Sequence, residues 1–468
     1  MKKILSIILT LTLSATVFAQ PLPKKLEHNE KMAWWRNAKF GMFVHWGPYC
    51  LYGGVYNGFN QRRGGAEWIM NRCKIPVREY RAKACTFNPV DFNAEELVLT
   101  AKNAGMKYII FTTKHHDGFA MFKSNASEFN IVDYTPFKRD IVDELAKACR
   151  KHHIKLGFYY SQTQDWCNPG GGTIRKEMKE GWANPDSVAI DNFTQENLGG
   201  WDCLQRSASL DDYFRKVAIP QIKELLTNYG DVAVMWWDTP HRISKETAAE
   251  ITAELAKYPQ VITNDRLRRP DFPGDYKTPE GRIPHAKDIE RVDWETCMNI
   301  GSSWGYKSWE KNWKSAETII RNLNTIAARG GNYLLNVGPD PTGVVPAPAL
   351  DCLRKVGEWM RVNGEAIYAT QRSEIFPPWG ECIRKDEKKN SVYYLSVFQW
   401  RIRVPEGTYL SIISCTSLVL YLAFPLKPTS MTLYFLGEVA MSTVPLSLLF
   451  PSPRSTMPLA VIRIGLAI

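Results

Sequence analysis

The chain has 468 residues, too many for one small domain, and its 44% hydrophobic and 12% aromatic content is ample for a packed core. That composition excludes disorder as the default. A formal charge of +11 invites nucleic acid as a partner, but the basic residues are interleaved with acids and form no Lys/Arg block, so none is expected.

At the N-terminus Met1-Lys2-Lys3 is a positive segment, Ile4 to Ala15 an apolar run, and Val17-Phe18-Ala19 a small-residue cleavage site before Gln20. Residues 1–19 read as a signal peptide of bacterial form. The run is short for a membrane span, and no cysteine follows the cleavage site to take a lipid. The expectation is export to the periplasm or medium without a stable membrane anchor.

Strand-like and helical segments then alternate. Phe40 to His45 reads as a strand, Ala94 to Gly105 as a helix and Met106 to Thr113 as a strand. A helix from Asp140 to His153 is followed by the strand Ile154 to Tyr160. The helix Leu210 to Tyr229 precedes the strand Asp231 to Trp237, and the helix Ser244 to Lys257 precedes the strand Gln260 to Thr263. Helix Ala316 to Ala328, strand Gly331 to Asn336 and helix Ala347 to Gly364 complete the series. Repeated strand–helix units build a parallel sheet. A closed (β/α) TIM-like barrel over residues 20–371 is preferred to an open doubly wound sheet for two reasons. No glycine-rich phosphate loop follows the first strand. Several strands also end in polar or aromatic residues, which a barrel gathers at one mouth.

From about residue 372 the pattern becomes β-rich, with Ser391 to Phe398 as a strand, so residues 372–400 read as the start of a C-terminal β-sandwich. Beyond 401 alternation and turn signals fade, and no charge occurs between Glu406 and Lys427. Residues 401–468 form an anomalous apolar tail, expected to be a frameshifted or truncated reading of that sandwich. The rival is a membrane anchor at Thr408 to Pro425, whose hydropathy is weakened by Ser, Thr and Pro. Ten scattered cysteines without a Cys-x-x-Cys give neither a zinc signature nor a disulfide framework. Most read as buried thiols, Cys149 among them.

The chemistry-bearing residues stand at strand ends. Asp238 closes the run Val232 to Trp237, where a strand gives way to a loop, although a turn aspartate before Thr239-Pro240 has the same local pattern. His115 and His116 follow the second strand. Neighbours on a strand point to opposite faces, and no further ligands at metal-site spacing accompany them, so hydrogen bonding to sugar hydroxyls is the better use. His45-Trp46 and Glu67-Trp68 each pair a polar group with an aromatic plane, as sugar recognition requires. His152-His153 reads as a helix end.

These segments occur in an order that resembles a known family: Phe43-Val-His-Trp-Gly47, Glu67-Trp68, Lys114-His-His-Asp-Gly-Phe119, Gly157-Phe-Tyr-Tyr-Ser161, Trp236-Trp-Asp-Thr239, Asn264-Asp-Arg266, Thr278-Pro-Glu280 and Trp304-Gly-Tyr306. Together they resemble the α-L-fucosidases of glycoside hydrolase family 29, over about residues 30 to 400. The resemblance implies a barrel followed by a β-sandwich, retention of configuration, no metal and no cofactor. It implies Asp238 as nucleophile and a fucose subsite of His45, Glu67, Trp68, His115, His116, Tyr159, Trp236 and Arg266. For the acid/base it implies Glu280 by motif position, with Glu295 in Asp293-Trp-Glu-Thr-Cys297 as the competitor. The form Thr278-Pro-Glu-x-x-Ile-Pro284 is similar to the subgroup that prefers α-1,3/1,4-linked fucose. The substrate implied is a fucosylated oligosaccharide or glycoconjugate. The competing readings are another barrel glycosidase and an inactive carbohydrate-binding member.

Overall fold

The computed structural model describes residues 30–397, apart from 62–63, 174–186, 198, 286–287, 289–291, 374, 376–379 and 387–389, and beyond 397 the backbone of five strands. The expected signal peptide lies outside the described residues. The chain divides into two compact units, Lys24–Gln371 and the residues from Arg372 onward.

In the first unit seven strands form one sheet with parallel pairing throughout. They are β1 (Phe40–Val44), β2 (Tyr108–Lys114), β3 (Lys155–Ser161), β4 (Val234–Asp238), β5 (Ile262–Thr263), β6 (Glu295–Asn299) and β7 (Asn332–Val337). Every residue of β1, β2 and β7 is buried, which is why these strands read as near-continuous apolar runs rather than as alternations. The spatial order is β5-β4-β3-β2-β1-β7-β6. The two edge strands are therefore β5 and β6, and the chain between them joins them. The Asp275 amide donates to Thr263 O, the Lys277 amide to Asp293 O, the Glu295 amide to Lys277 O and the Gly281 amide to Cys297 O. Isolated parallel bridges Asn264–Tyr276, Lys277–Trp294 and Glu280–Cys297 complete the join. Residues 275–281 thus close the sheet into a (β/α) barrel and carry Glu280 with them.

The helices follow their capping signals. Asn93 accepts from the amides of Glu95 and Glu96 at the start of α1 (Ala94–Asn103), and Asp140 caps α2 (Ile141–His152). His153 ends α2 in the left-handed region at φ 56°, as a helix terminus does. Ser244 caps α4 (Lys245–Leu255), Ser315 caps α5 (Ala316–Ala328), and α6 spans Ala347–Asn363. The helix expected over Leu210 to Tyr229 is not uniform. Pro220 has no N–H to donate to the preceding turn, and the chain widens into a π-turn over Phe214–Ala218 before α3 (Ile219–Asn228). Strand β6 has no counterpart in the sequence reading. Glu295-Thr-Cys-Met-Asn299 carries polar residues at buried positions, which is the opposite of the signal by which strands are recognised.

Inside the barrel, Phe43, Tyr108, Tyr159, Trp236, Tyr276, Ile110 and Leu334 pack in one buried cluster. None of the nine described cysteines is in a disulfide, and seven are buried, Cys149 on α2 among them.

The second unit holds two sheets, whose strands from Gly380 onward pair antiparallel. One four-stranded sheet has the order β8 (Gln371–Arg372), β9 (Gly380–Asp386), β10 (Asn390–Val397), β15 (Val461–Ala467). The other runs β11 (Leu410–Ser414), β12 (Leu418–Ala423), β13 (Ser430–Phe435), β14 (Thr443–Pro445). Thr408 to Pro425 therefore contains two strands, and no helix among the described residues is long and apolar enough to cross a membrane.

Candidate active site

The carboxyl ends of the strands meet at one mouth, as barrel topology dictates. His45 follows β1, where its amide donates to Val337 O and its Nδ1 lies 2.7 Å from Asn336 Oδ1 of β7. His115 and His116 follow β2. Their expected divergence to opposite faces does not occur, because β2 ends at Lys114 and the chain turns. The Gly118 amide donates back to His115 O, and the two imidazoles lie 4.0 Å apart beside one cavity. Gly118 sits at φ +82°, and a Cβ there would fall 2.0 Å from Asp165 Oδ1, so the glycine of Lys-His-His-Asp-Gly is a packing requirement.

Tyr159 lies on β3, Trp236 and Asp238 on β4, Arg266 just beyond β5, Glu280 on the closing segment, and Glu67 and Trp68 on a short 3-10 turn. With His45, His115 and His116 they line a single cavity of about 230 Å³, together with Phe43, Thr239, Cys297 and Trp304. That volume lies below the range of about 300–1,000 Å³ usual for drug-sized ligands and suits one small ring.

Two carboxylates face each other across an arginine. Asp238 Oδ1 accepts from Arg266 Nη1 at 3.0 Å and from the Thr239 amide at 2.8 Å, and Oδ2 accepts from the Tyr159 hydroxyl at 2.8 Å. Burial pushes this carboxyl up, but the Arg266 charge and the Tyr159 and Arg266 hydrogen bonds outweigh it and hold Asp238 below its ordinary value. Glu280 Oε2 lies 3.0 Å from the same Arg266 Nη1. These two oxygens are therefore within about 6 Å of each other, close to the ~5–5.5 Å carboxyl spacing of retaining glycosidases. Glu280 also faces a second, adjoining cavity of about 630 Å³, walled by Pro240, Lys277 and Arg282 among others.

Glu295, the competitor, is elsewhere. It is 1% exposed, absent from the cavity wall, and accepts from Trp236 Nε1 at 3.0 Å and the Tyr108 hydroxyl at 2.5 Å.

The remaining wall is part polar, part aromatic. Burial lowers His45 to about 4, and burial with the neighbouring imidazoles lowers His115 well below its usual value. Both rings are neutral at pH 7 and offer a donor and an acceptor rather than a charge. Burial raises Glu67 to about 7. Its Oε2 accepts from the Gly305 amide at 2.8 Å, whereas Glu67 Oε1 and His115 Nδ1 are buried without a protein partner. Each costs ~1–3 kcal/mol if unanswered. Beside them in the same wall, the Phe43 ring lies 5.0 Å from Trp236 and 6.0 Å from Trp304. A polyhydroxylated ring with one apolar face matches that division. Among the described residues no group of three His, Cys, Asp or Glu is placed to hold a metal ion.

The family model for alpha-L-fucosidase matches residues 10–365. The chain belongs to the α-L-fucosidase family. It is accordingly a glycoside hydrolase. It is similar to the tissue alpha-L-fucosidase of Bos taurus, with 29% identity over 82% of this chain and 77% of the relative. Among solved structures it is similar to the alpha-L-fucosidase of Vibrio sp. strain EJY3, at 32% identity and TM-score 0.70, over 82% of this chain and 63% of that one. It is also similar to the Lactobacillus casei alpha-L-fucosidase in complex with its α-L-fucose product, at 35% identity and TM-score 0.62, over 72% of this chain and all of that one.

The cavity also contains residues for which the sequence proposed no role: Phe43, Thr239, Cys297 and Trp304. Phe43, Thr239 and Trp304 fall inside the quoted family motifs, so a signal existed. Cys297 had none, because it lies on the unrecognised strand β6.

Proposed function

We propose that the protein is a retaining exo-α-L-fucosidase that removes terminal α-L-fucosyl residues from oligosaccharides or glycoconjugates. The observation that carries this reading is the sharing of Arg266 Nη1 by Asp238 and Glu280, which brings two carboxylates within double-displacement reach. Fucose enters the small cavity, and the aglycone occupies the larger one beyond Glu280. Asp238 attacks the anomeric carbon while Glu280 gives its proton to the departing glycosidic oxygen, leaving a covalent fucosyl ester on Asp238. Glu280 then takes a proton from water, which displaces Asp238 from the anomeric carbon and restores the original configuration. Phe43, Trp236 and Trp304 supply the apolar wall, and Glu67, His45, His115 and His116 bond the hydroxyls. The motif form around Glu280 supports α-1,3/1,4-linked fucose as the preferred substrate.

The test is NMR observation of the first-formed sugar from an aryl α-L-fucoside, followed by a panel of defined fucosylated oligosaccharides. Initial release of α-L-fucose supports the reading. Initial β-anomer refutes retention. Binding of fucose without turnover makes the protein a lectin-like member.

Two further proposals concern the ends of the chain. We propose export, supported by the signal-peptide pattern of residues 1–19 and tested by a mature N-terminus at Gln20 in the bacterial periplasm or medium. We propose that residues after about 400 are a frameshifted reading of a β-sandwich, supported by the abrupt loss of charge there. Resequencing the gene tests this, and the absence of alternating strands in both other frames overturns it.

A further inference from the structure

We propose that Glu295 is a positioning residue of this site, holding the indole of Trp236 from behind the cavity so that Trp236 aligns the partners of Asp238. This rests on the reading of the cavity as the fucose subsite. Glu295 is the first residue of β6, buried inside the barrel, and its Oε1 accepts from Trp236 Nε1 at 3.0 Å. Its other oxygen accepts from the Tyr108 hydroxyl at 2.5 Å. The pyrrole edge of Trp236 is thus tied to β6, while the indole forms part of the cavity wall.

What Trp236 touches makes the tie consequential. The Arg266 guanidinium carbon lies 4.7 Å from the centre of the Trp236 ring. The Tyr159 ring stacks on it at 5.6 Å and 22°. Arg266 and Tyr159 are the two side chains that donate to the two oxygens of Asp238. A rotation of the indole about its side-chain torsions would therefore shift both donors at once. An indole N–H buried in an aromatic cluster needs an acceptor, and Glu295 is the side chain that supplies one. A carboxyl oxygen accepts whether or not the group is ionised, so the tie does not depend on its charge. The same burial explains why a carboxyl is tolerated here: two donors occupy its oxygens.

A positioning role differs from an acid/base role in three measurable ways. Glu295→Leu removes the acceptor at similar volume, and Glu295→Gln keeps an acceptor oxygen for Trp236 and a donor for Tyr108. On active enzyme, counted with a mechanism-based fucosyl inactivator, Glu295→Leu is expected to lower kcat/KM by ~10- to 100-fold through the orphaned indole N–H. The factor should be the same for aryl fucosides and for unactivated oligosaccharides, because Glu295 does not protonate the leaving group. Glu295→Gln should stay within about threefold of the parent, since the hydrogen bond survives. Azide should not restore Glu295→Leu. Rescue by azide, a loss confined to unactivated substrates, equal damage from Glu295→Gln, or full activity of Glu295→Leu each overturns the proposal.

A second reading does not need turnover. The near-UV circular dichroism contribution lost in Trp236→Phe should be altered in Glu295→Leu and kept in Glu295→Gln. A parental spectrum for Glu295→Leu overturns the tie even if the parent protein releases no fucose, whereas absence of fucose release alone refutes only the reading of the cavity.

Discussion

Replacing Tyr159 with phenylalanine removes one oxygen atom from the most acidic-poised part of the site. That oxygen donates to Asp238 Oδ2 at 2.8 Å. The ring is fully buried between His115, at 5.4 Å and 13°, and Trp236, and phenylalanine keeps both stacks. A hydrogen bond to a charged acceptor contributes ~1.5–3 kcal/mol. The substitution should therefore weaken the ionised form of Asp238 by about that much and raise its carboxyl. The sign follows from which form the hydroxyl favours. It donates to the carboxylate, so its loss favours the proton and moves the acidic limb of activity to higher pH. In the parent that limb lies below the ordinary aspartate value of 3.8. In Tyr159→Phe it should lie at distinctly higher pH than in the parent, with kcat/KM at pH 7 much less affected than kcat/KM at the acidic end. The assay is kcat/KM for an aryl α-L-fucoside from pH 3.5 to 8, with circular dichroism confirming the fold at each pH. An acidic limb that stays where it was, or moves down, refutes the assignment of Tyr159 as a partner of an ionised nucleophile.

Four other outcomes are expected. Asp238→Gly should lower turnover by on the order of 10³ or more while melting like the parent, since it removes the nucleophile from a strand end; near-normal activity contradicts its role. Glu280→Ala should retain measurable cleavage of substrates with good leaving groups and regain rate with azide, as loss of a general acid demands; an unresponsive or fully active variant does not fit that role. Glu67→Ala removes the acceptor of the Gly305 amide and a carboxyl from the cavity wall, so KM should rise by roughly 10- to 100-fold. Urea titrations check the burial of Glu295, which raises its carboxyl from 4.5 to about 7. The folded protein keeps that proton across pH 4.5–7 while the unfolded chain loses it, so stability falls as pH rises through that window. Glu295→Gln removes the effect, and its stability relative to the parent should climb by up to roughly 3 kcal/mol between pH 4.5 and 7.5. A difference independent of pH would contradict the burial.

Much of the site was legible in the chain because its residues stand at the ends of strands that are themselves legible. His45 ends the run Phe40–Val44 and Asp238 ends Val234–Asp238, and these apolar runs are long enough to be recognised without their neighbours. The helices α2 and α5 fell within a residue of their expected limits because Asp140 and Ser315 announce their starts by side-chain capping. The ordered motifs supplied the polar wall around Asp238.

Tertiary structure separated Glu280 from Glu295, which local pattern could not: it places Glu280 on the cavity wall and buries Glu295 away from it. The segment 275–281 joins β5 to β6 through isolated bridges, and single bridges leave no periodicity in a sequence. Glu295 sits on a strand whose buried positions are polar, so no strand was expected there, and only the approach of Tyr108 and Trp236 from two other strands accounts for its burial. The two adjacent histidines likewise converge only because a turn at Gly118 replaces the extended chain that alternation assumes. Sequence determined which side chains come to the barrel mouth, since strand ends are local. Which carboxyl shares the cavity with Asp238 and which is sealed behind it depended on contacts between strands far apart in the chain.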